Sequence, residues 1–222
     1  MAEYLQKEVE FFGKITAGST HEMRNVLAII RESSGLAQDL LALCPDAPLP
    51  HRDKFEKALS VIQKQVQRGS ELSTHLNKFA HSTDNPEDRV DLYSAATHVA
   101  YLSQRFARLR NVALIVDPQP PLDLPVVVRH SRLLLALFAC VDCCLEGLPP
   151  GSEMHVGARK TDNGVSAYVT RKSGGGANPP ALEELLTAGR WGNLNELAGT
   201  LGGSLEWDAS GSCVRLNLPE VA

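Results

Sequence analysis

The chain has 222 residues, 43% hydrophobic and 22% charged, with a formal net charge of −4. That length supports one large domain or two small ones with a real core, and the balance excludes a disordered chain. The slight acidity, with a pI near 6.0, argues against binding nucleic acid by neutralising phosphates, so no nucleic-acid partner is expected.

The longest apolar stretch, Leu133 to Leu148, is interrupted by Asp142 and Glu146, and membrane insertion is not expected of it. The opening MAEYLQKEVE is a charged helical pattern without the apolar core of a signal peptide. Five cysteines occur, Cys44, Cys140, Cys143, Cys144 and Cys213. An odd number with three in one apolar segment is not a secreted disulfide framework. A cytoplasmic location is the resulting expectation.

Residues 3–43 read as one long helix. Steps of about 100° per residue bring Phe12, Thr16, Ser19, Met23, Val26, Leu27, Ile30, Ser34, Ala37 and Leu41 to one face. The proline-rich segment Pro45–Pro50 ends it. A second helix is expected from about Asp53 to His81, with a heptad-like seam of Phe55, Leu59, Ile62, Val66, Gly69, Ser73 and Leu76. Two long amphipathic helices joined by a short loop form an antiparallel hairpin. Two helices alone leave an apolar stripe uncovered, which predicts that two copies pair into a four-helix bundle, a homodimer.

Ser82–Asp91, with Pro86, reads as a linker, giving domains at 1–82 and 91–222. Beyond it Leu92–Asn111 reads as a helix, Val112–Val116 as a strand, Pro118–Pro125 as a loop and Ser131–Leu148 as a buried helix. Strands Met154–Lys160 and Val165–Arg171 are joined at Asp162-Asn163-Gly164, a strong hairpin turn. Helical Pro180–Leu186 and Asn193–Leu201 follow, then Gly202-Gly203 and strands Ser204–Trp207 and Cys213–Leu218. The expected fold class is α+β: a helical hairpin followed by an α/β sandwich whose mixed sheet has helices on one face.

His21 lies about 170° from the apolar stripe of the first helix, on its exposed face. Asn25, one turn on, shares that side, and Gly18, one turn before, leaves space over it. A neutral imidazole nitrogen is a competent nucleophile near pH 7, and the adjacent Glu22 can accept or polarise its other proton. Geometry alone leaves a plain surface histidine open as an alternative.

The segment FFGKITAGSTHEMRNVLAII resembles the H-box of bacterial sensor histidine kinases, the match being His21-Glu22-Met23-Arg24-Asn25 and the apolar Val26-Leu27 and Ile29-Ile30. The resemblance implies a dimerisation and histidine-phosphotransfer hairpin. It also implies that His21 is the phosphorylated residue, Glu22 the acid/base of the transfer, and Asn25 a support for dephosphorylating the partner. SRLLLALFACVDCCLEGLPPGSEMHV and ELAGTLGGSLEWDASGSCVRLNLP are similar to the ATP-binding domain of the same kinases.

The nucleotide chemistry of that family is degenerate in this chain. Its two Mg²⁺-reaching asparagines correspond to Ala139 and Cys143, neither a hard oxygen ligand. Its adenine-binding aspartate corresponds to Arg171, which has no acceptor. Only TAGRWG fills the place of the flexible lid. The resemblance therefore implies that ATP is not expected to bind, that no cofactor is held tightly, and that Mg²⁺ comes with a response-regulator receiver domain as partner. The architecture is similar to the histidine phosphotransferases of phosphorelays, whose sequence around the histidine differs from HEMRN.

Other features have plainer explanations. Cys140-x-x-Cys143-Cys144 on a buried helix reads as small apolar packing, with no metal expected. Ser173–Gly176 can cradle an anion with backbone N–H groups, as glycine-rich loops do with or without a ligand. His51, His75, His81, His98, His130 and His155 show no catalytic spacing, and Trp191 and Trp207 read as core or rim residues. The leading expectation is a relay protein that passes a phosphoryl group on His21 to or from a receiver aspartate. The alternatives are a divergent ATP-dependent kinase and a regulator or phosphatase of a kinase or receiver.

Overall fold

A computed structural model describes residues 2–42, 52–173, 188–208 and 212–220. The chain divides into two compact units, one of Gly13–Lys78 and one of Met1–Phe12 with Phe79–Ala222.

The first unit is a hairpin of α1 (Ala2–Ala42) and α2 (Arg52–Ala80). Its interior holds Ile15, Ser19, Glu22, Val26, Ala37 and Leu40 from α1, and Ala58 and Leu72 from α2. These fall at helical spacing on one face of each helix. That face is only part of the stripe expected from the sequence: Ser19, Val26 and Ala37 are inside it, whereas Thr16, Leu27 and Leu41 are exposed. On α2 the expected seam is displaced by one position, because Leu59, Val66 and Ser73 are exposed while Ala58 and Leu72 are buried. The apolar band is wider than one partner helix covers, and periodicity does not say which edge of it meets that partner. Gly69 permits a close contact between the helices: a Cβ there would stand 3.2 Å from Val26 Cγ1 and 3.9 Å from Met23 Sδ. The proline-rich segment 45–50 lies outside the described residues.

In the second unit the expected linker is more structured than its composition suggests. A 3-10 turn, His81–Thr83, is followed by β1 (Asp88–Asp91), and the end of the proline-rich loop supplies β3 (Pro125–Val128). The two pair antiparallel, so strand hydrogen bonding overrides the polar, turn-like sequence of β1. Asp91 connects this ribbon to α3 (Leu92–Leu109): one carboxylate oxygen accepts from Ser94 N at 2.7 Å as the helix N-cap, and the other from Leu124 N at 2.8 Å.

The main sheet has the order β2 (Ala113–Val116), β4 (Glu153–Thr161), β5 (Gly164–Lys172), β7 (Cys213–Leu218), β6 (Ser204–Trp207). β2 and β4 are parallel, connected through α4 (His130–Leu145), and the remaining pairs are antiparallel. α4 ends three residues earlier than its apolar run, where Gly147 adopts a φ of 68°. The two-residue turn Asp162-Asn163 sets Thr161 opposite Gly164. From there alternate positions separate. Val165, Ala167, Val169 and Arg171 share a face with their register partners Leu218, Ala158, Leu216, Val156, Val214 and Met154. α3 and α4 pack on the sheet, closing the core over residues such as Leu133, Leu134 and Met154. In the same unit Phe11 of α1 meets Phe79 at 5.3 Å and Phe138 of α4 at 5.0 Å between ring centroids. These aromatic contacts group the first turns of α1 with the α/β domain.

α5 (Ala188–Gly199) starts earlier than the sequence suggests. The expected lid remnant TAGRWG is thus drawn largely into a helix, its helix-forming neighbours outweighing its two glycines. The expected helix Pro180–Leu186 and residues 174–176 of the glycine-rich loop lie outside the described residues. Trp191 and Trp207 lean together with centroids 4.0 Å apart. After α5, Gly202 takes a φ of 72°, and at Gly203 a Cβ would collide with the Asn217 carbonyl oxygen. Gly203→Ala is therefore expected to lower unfolding stability by about 3 kcal/mol, measured by urea denaturation, because a backbone atom cannot yield as a side chain can.

Candidate functional site

His21 sits near the middle of α1 and is exposed, as is Asn25 one turn on. Glu22, one step of about 100° around the helix, projects to the buried side and is 8% exposed. Its carboxylate accepts a short hydrogen bond from the Arg68 guanidinium of α2. The two residues the resemblance made partners thus project differently: His21 toward solvent, Glu22 into the hairpin. Thr20, beside His21, is tied to the helix backbone, its Oγ1 donating to Thr16 O at 2.8 Å.

Arg68 is the residue that sequence reasoning missed. It lies next to Gly69, where a Cβ would press on Val26 of α1, and the buried carboxylate of Glu22 needs a charged donor there. The available signal was the Arg-Gly pair inside an otherwise regular amphipathic helix, which by itself names no partner.

The degenerate nucleotide positions fall on α4 and β5. Ala139 is half-buried and Cys143 buried. Arg171 is 3% exposed, on the helix-covered side of the sheet, where its Nη2 donates to the Glu146 carbonyl at 3.3 Å. A methyl group, a thiol and a buried guanidinium do not fit Mg²⁺-nucleotide: two lack a hard oxygen and the third repels the metal. Cys140, Cys143 and Cys144 are buried thiols, and burial pushes the Cys140 and Cys144 thiols well up. They pack as small apolar groups.

The tertiary structure also assembles a cluster with no trace in sequence spacing. Asp117, just past β2, accepts from Tyr168 OH at 2.9 Å and lies 2.8 Å from His155 Nδ1. Gly157 makes this possible: a Cβ there would stand 2.5 Å from the Tyr168 hydroxyl, so only a glycine lets the ring lie across β4. Burial pushes the Asp117 carboxyl up, but the bonds from His155 and Tyr168 outweigh this and hold it below its ordinary value. Burial and the Asp117 bond push Tyr168 up to about 12.

No protein-family model matches the chain, and no curated protein matches it. Solved histidine kinases are similar to it at low identity. The histidine kinase AdeS of Acinetobacter baumannii is 14% identical over 91% of this chain and 98% of its own, with a TM-score of 0.47. A histidine kinase from Burkholderia phymatum STM815 is 15% identical over 96% and 99%, with a TM-score of 0.49. The histidine kinase ThkA, solved in complex with the response regulator protein TrrA, is 17% identical over 97% of this chain and 64% of its own, with a TM-score of 0.46.

Two measurements check the local energetics. Arg68→Met is expected to destabilise by about 2 kcal/mol in chemical denaturation. The side chains are 37% and 11% exposed for Arg68 and Glu22, so the loss stays below that of a fully buried pair. Adding Glu22→Gln should recover much of it. The lowered Asp117 carboxyl contributes stability that is complete above about pH 4 and is lost as pH falls through the lowered folded value. Asp117→Asn is expected to reduce stability at neutral pH and flatten the acid limb, read from urea midpoints across a pH series.

Proposed function

We propose that this chain is a cytoplasmic two-component signalling protein that works as a homodimer, accepting a phosphoryl group on His21 and passing it to or from a response-regulator aspartate. The observation that carries this reading is the exposed His21 with Asn25 beside it, on a helix braced from behind by the Glu22–Arg68 pair.

The transfer needs little from the chain beyond this. A neutral imidazole nitrogen attacks the phosphorus of the receiver's acyl phosphate, the new N–P bond forms as the P–O bond to the aspartate breaks, and the aspartate leaves as a carboxylate. The N–H proton on the other imidazole nitrogen then passes to solvent or to a base of the docked receiver, since Glu22 projects into the hairpin and is held there by Arg68. The reverse sequence returns the group to a receiver. Mg²⁺ is held by the receiver, and Asn25 orients water or the receiver's phosphorylated side chain over the ring.

Dimerisation is supported by what the hairpin leaves uncovered. Leu27 and Leu41 of α1 are 58% and 48% exposed, and Leu59 and Val66 of α2 are 42% and 55% exposed. Leu59 and Val66 are one heptad apart and Leu27 and Leu41 two, the spacing of a second seam. The same seam on a second copy completes a four-helix bundle. The unsuitable groups Ala139, Cys143 and Arg171 favour a phosphoryl supply from a partner protein over one from ATP.

Incubation with a phosphorylated receiver is expected to put acid-labile, base-stable label on the chain, and none on His21→Ala. Labelling by ATP in the absence of any receiver would overturn the relay reading in favour of a kinase. An undiminished effect of His21→Ala on the receiver would favour a binding regulator or a phosphatase. Leu27→Asp with Val66→Asp is expected to convert the dimer to monomer, measured by light scattering.

A further inference from the structure

The face of the main sheet opposite its helices is polar. The strand register places Arg159, Ser166, Asn217 and Ser204 side by side across β4, β5, β7 and β6. One row along, Tyr168, Arg215 and Glu206 stand opposite one another. Except for Tyr168, these residues line a cleft of about 600 Å³, bordered by Gly202-Gly203. That volume is in the range of small-molecule sites.

Among the described residues, two donors on this face have no acceptor. Ser166 is 0% exposed, yet its Oγ makes no hydrogen bond, and the buried Nε of Arg215 makes none either. Buried polar groups in folded chains are nearly always satisfied, so two orphaned groups in residues that line one cavity point to a missing acceptor. Glu206 stands across from Arg215 in the register, but among the described residues no ion pair joins them. Arg159 holds its guanidinium 5.7 Å from the centre of the Tyr168 ring, at the edge of the same space. Two guanidiniums and one carboxylate leave the cleft electropositive.

We propose that this cleft binds a small phosphorylated, hydroxyl-rich molecule, its phosphate taken by Arg215, Ser166 and Arg159. Guanidinium forks suit phosphate oxygens geometrically and electrostatically. Asn217, Ser204 and Glu206 supply donors and acceptors for hydroxyl groups. Among the described residues the lining contains no aromatic ring for a nucleobase to stack on, which favours a sugar phosphate over a nucleotide. The site does not depend on the chemistry assigned to His21.

The test titrates the full chain with inorganic phosphate, glycerol 3-phosphate and ribose 5-phosphate at ionic strength held constant with sodium chloride, following the melting midpoint and calorimetric binding. Saturable stabilisation is expected, tightest for ribose 5-phosphate and weakened about tenfold or more in Arg215→Gln. If that variant does not fold, Ser166→Ala removes the orphaned hydroxyl without changing charge. It is expected to melt no lower than the parent chain when unliganded and to bind more weakly. No saturable response to any of the three compounds, or equal responses in parent and variants, would overturn the site. Equal affinity for inorganic phosphate and ribose 5-phosphate would overturn its assignment to a hydroxyl-rich ligand.

Discussion

The α/β domain depends on one constraint, the parity of its strands. A two-residue turn at Asp162-Asn163 sets the β4–β5 register, and from there every side chain of the central strands is committed to one face or the other. A slip of one residue would exchange the two sets. Val165, Ala167 and Val169 would leave the helices, and Ser166 and Tyr168 would enter the core. Parity thus places Arg171 inside, where it donates to the Glu146 carbonyl, and Arg215 outside, in an electropositive cleft. The same alternation that makes the core apolar gives the other face its chemistry.

The hairpin works by a related separation, around a helix instead of across a sheet. Its apolar band is wider than one neighbour covers. One edge, through Ile15, Val26 and Leu72, is used within the chain, and the other, through Leu27 and Val66, is left to solvent. Glu22 and His21, adjacent in sequence, fall on different sides of this division. Glu22 and Arg68 bind the two helices close to Gly69, and His21 remains accessible on the outer surface. An exposed side chain on a braced helix loses little order when a partner docks, as the transfer proposed for His21 requires.

The two halves of the chain thus carry different chemistry. The hairpin exposes His21 and Asn25, and the α/β domain has a methyl, a thiol and a buried cation at Ala139, Cys143 and Arg171. Its polar residues are gathered instead on the opposite side of the sheet, in the Asp117–His155–Tyr168 cluster and the cleft beside Arg215.

Local patterns determined much of this in advance. The 3.6-residue periodicity of residues 3–43 sufficed to place His21 on the exposed face, and strong turn residues sufficed to delimit β4, β5, β6 and β7 to within a residue or two. Strands β1 and β3 were not legible, because a polar segment and the tail of a proline-rich loop become strands only by pairing with each other. Neither was the Glu22–Arg68 pair, whose members are 46 positions apart, nor the Tyr168 bond to Asp117, which needs Gly157 to stay small. Sequence alone determined which residues are amphipathic, where the chain turns and where the histidine points, since these follow from spacing along one element. Only the tertiary structure decided which apolar edge is buried, which charges are paired and which donors are left facing a cavity, because those depend on distances between elements that no local spacing encodes.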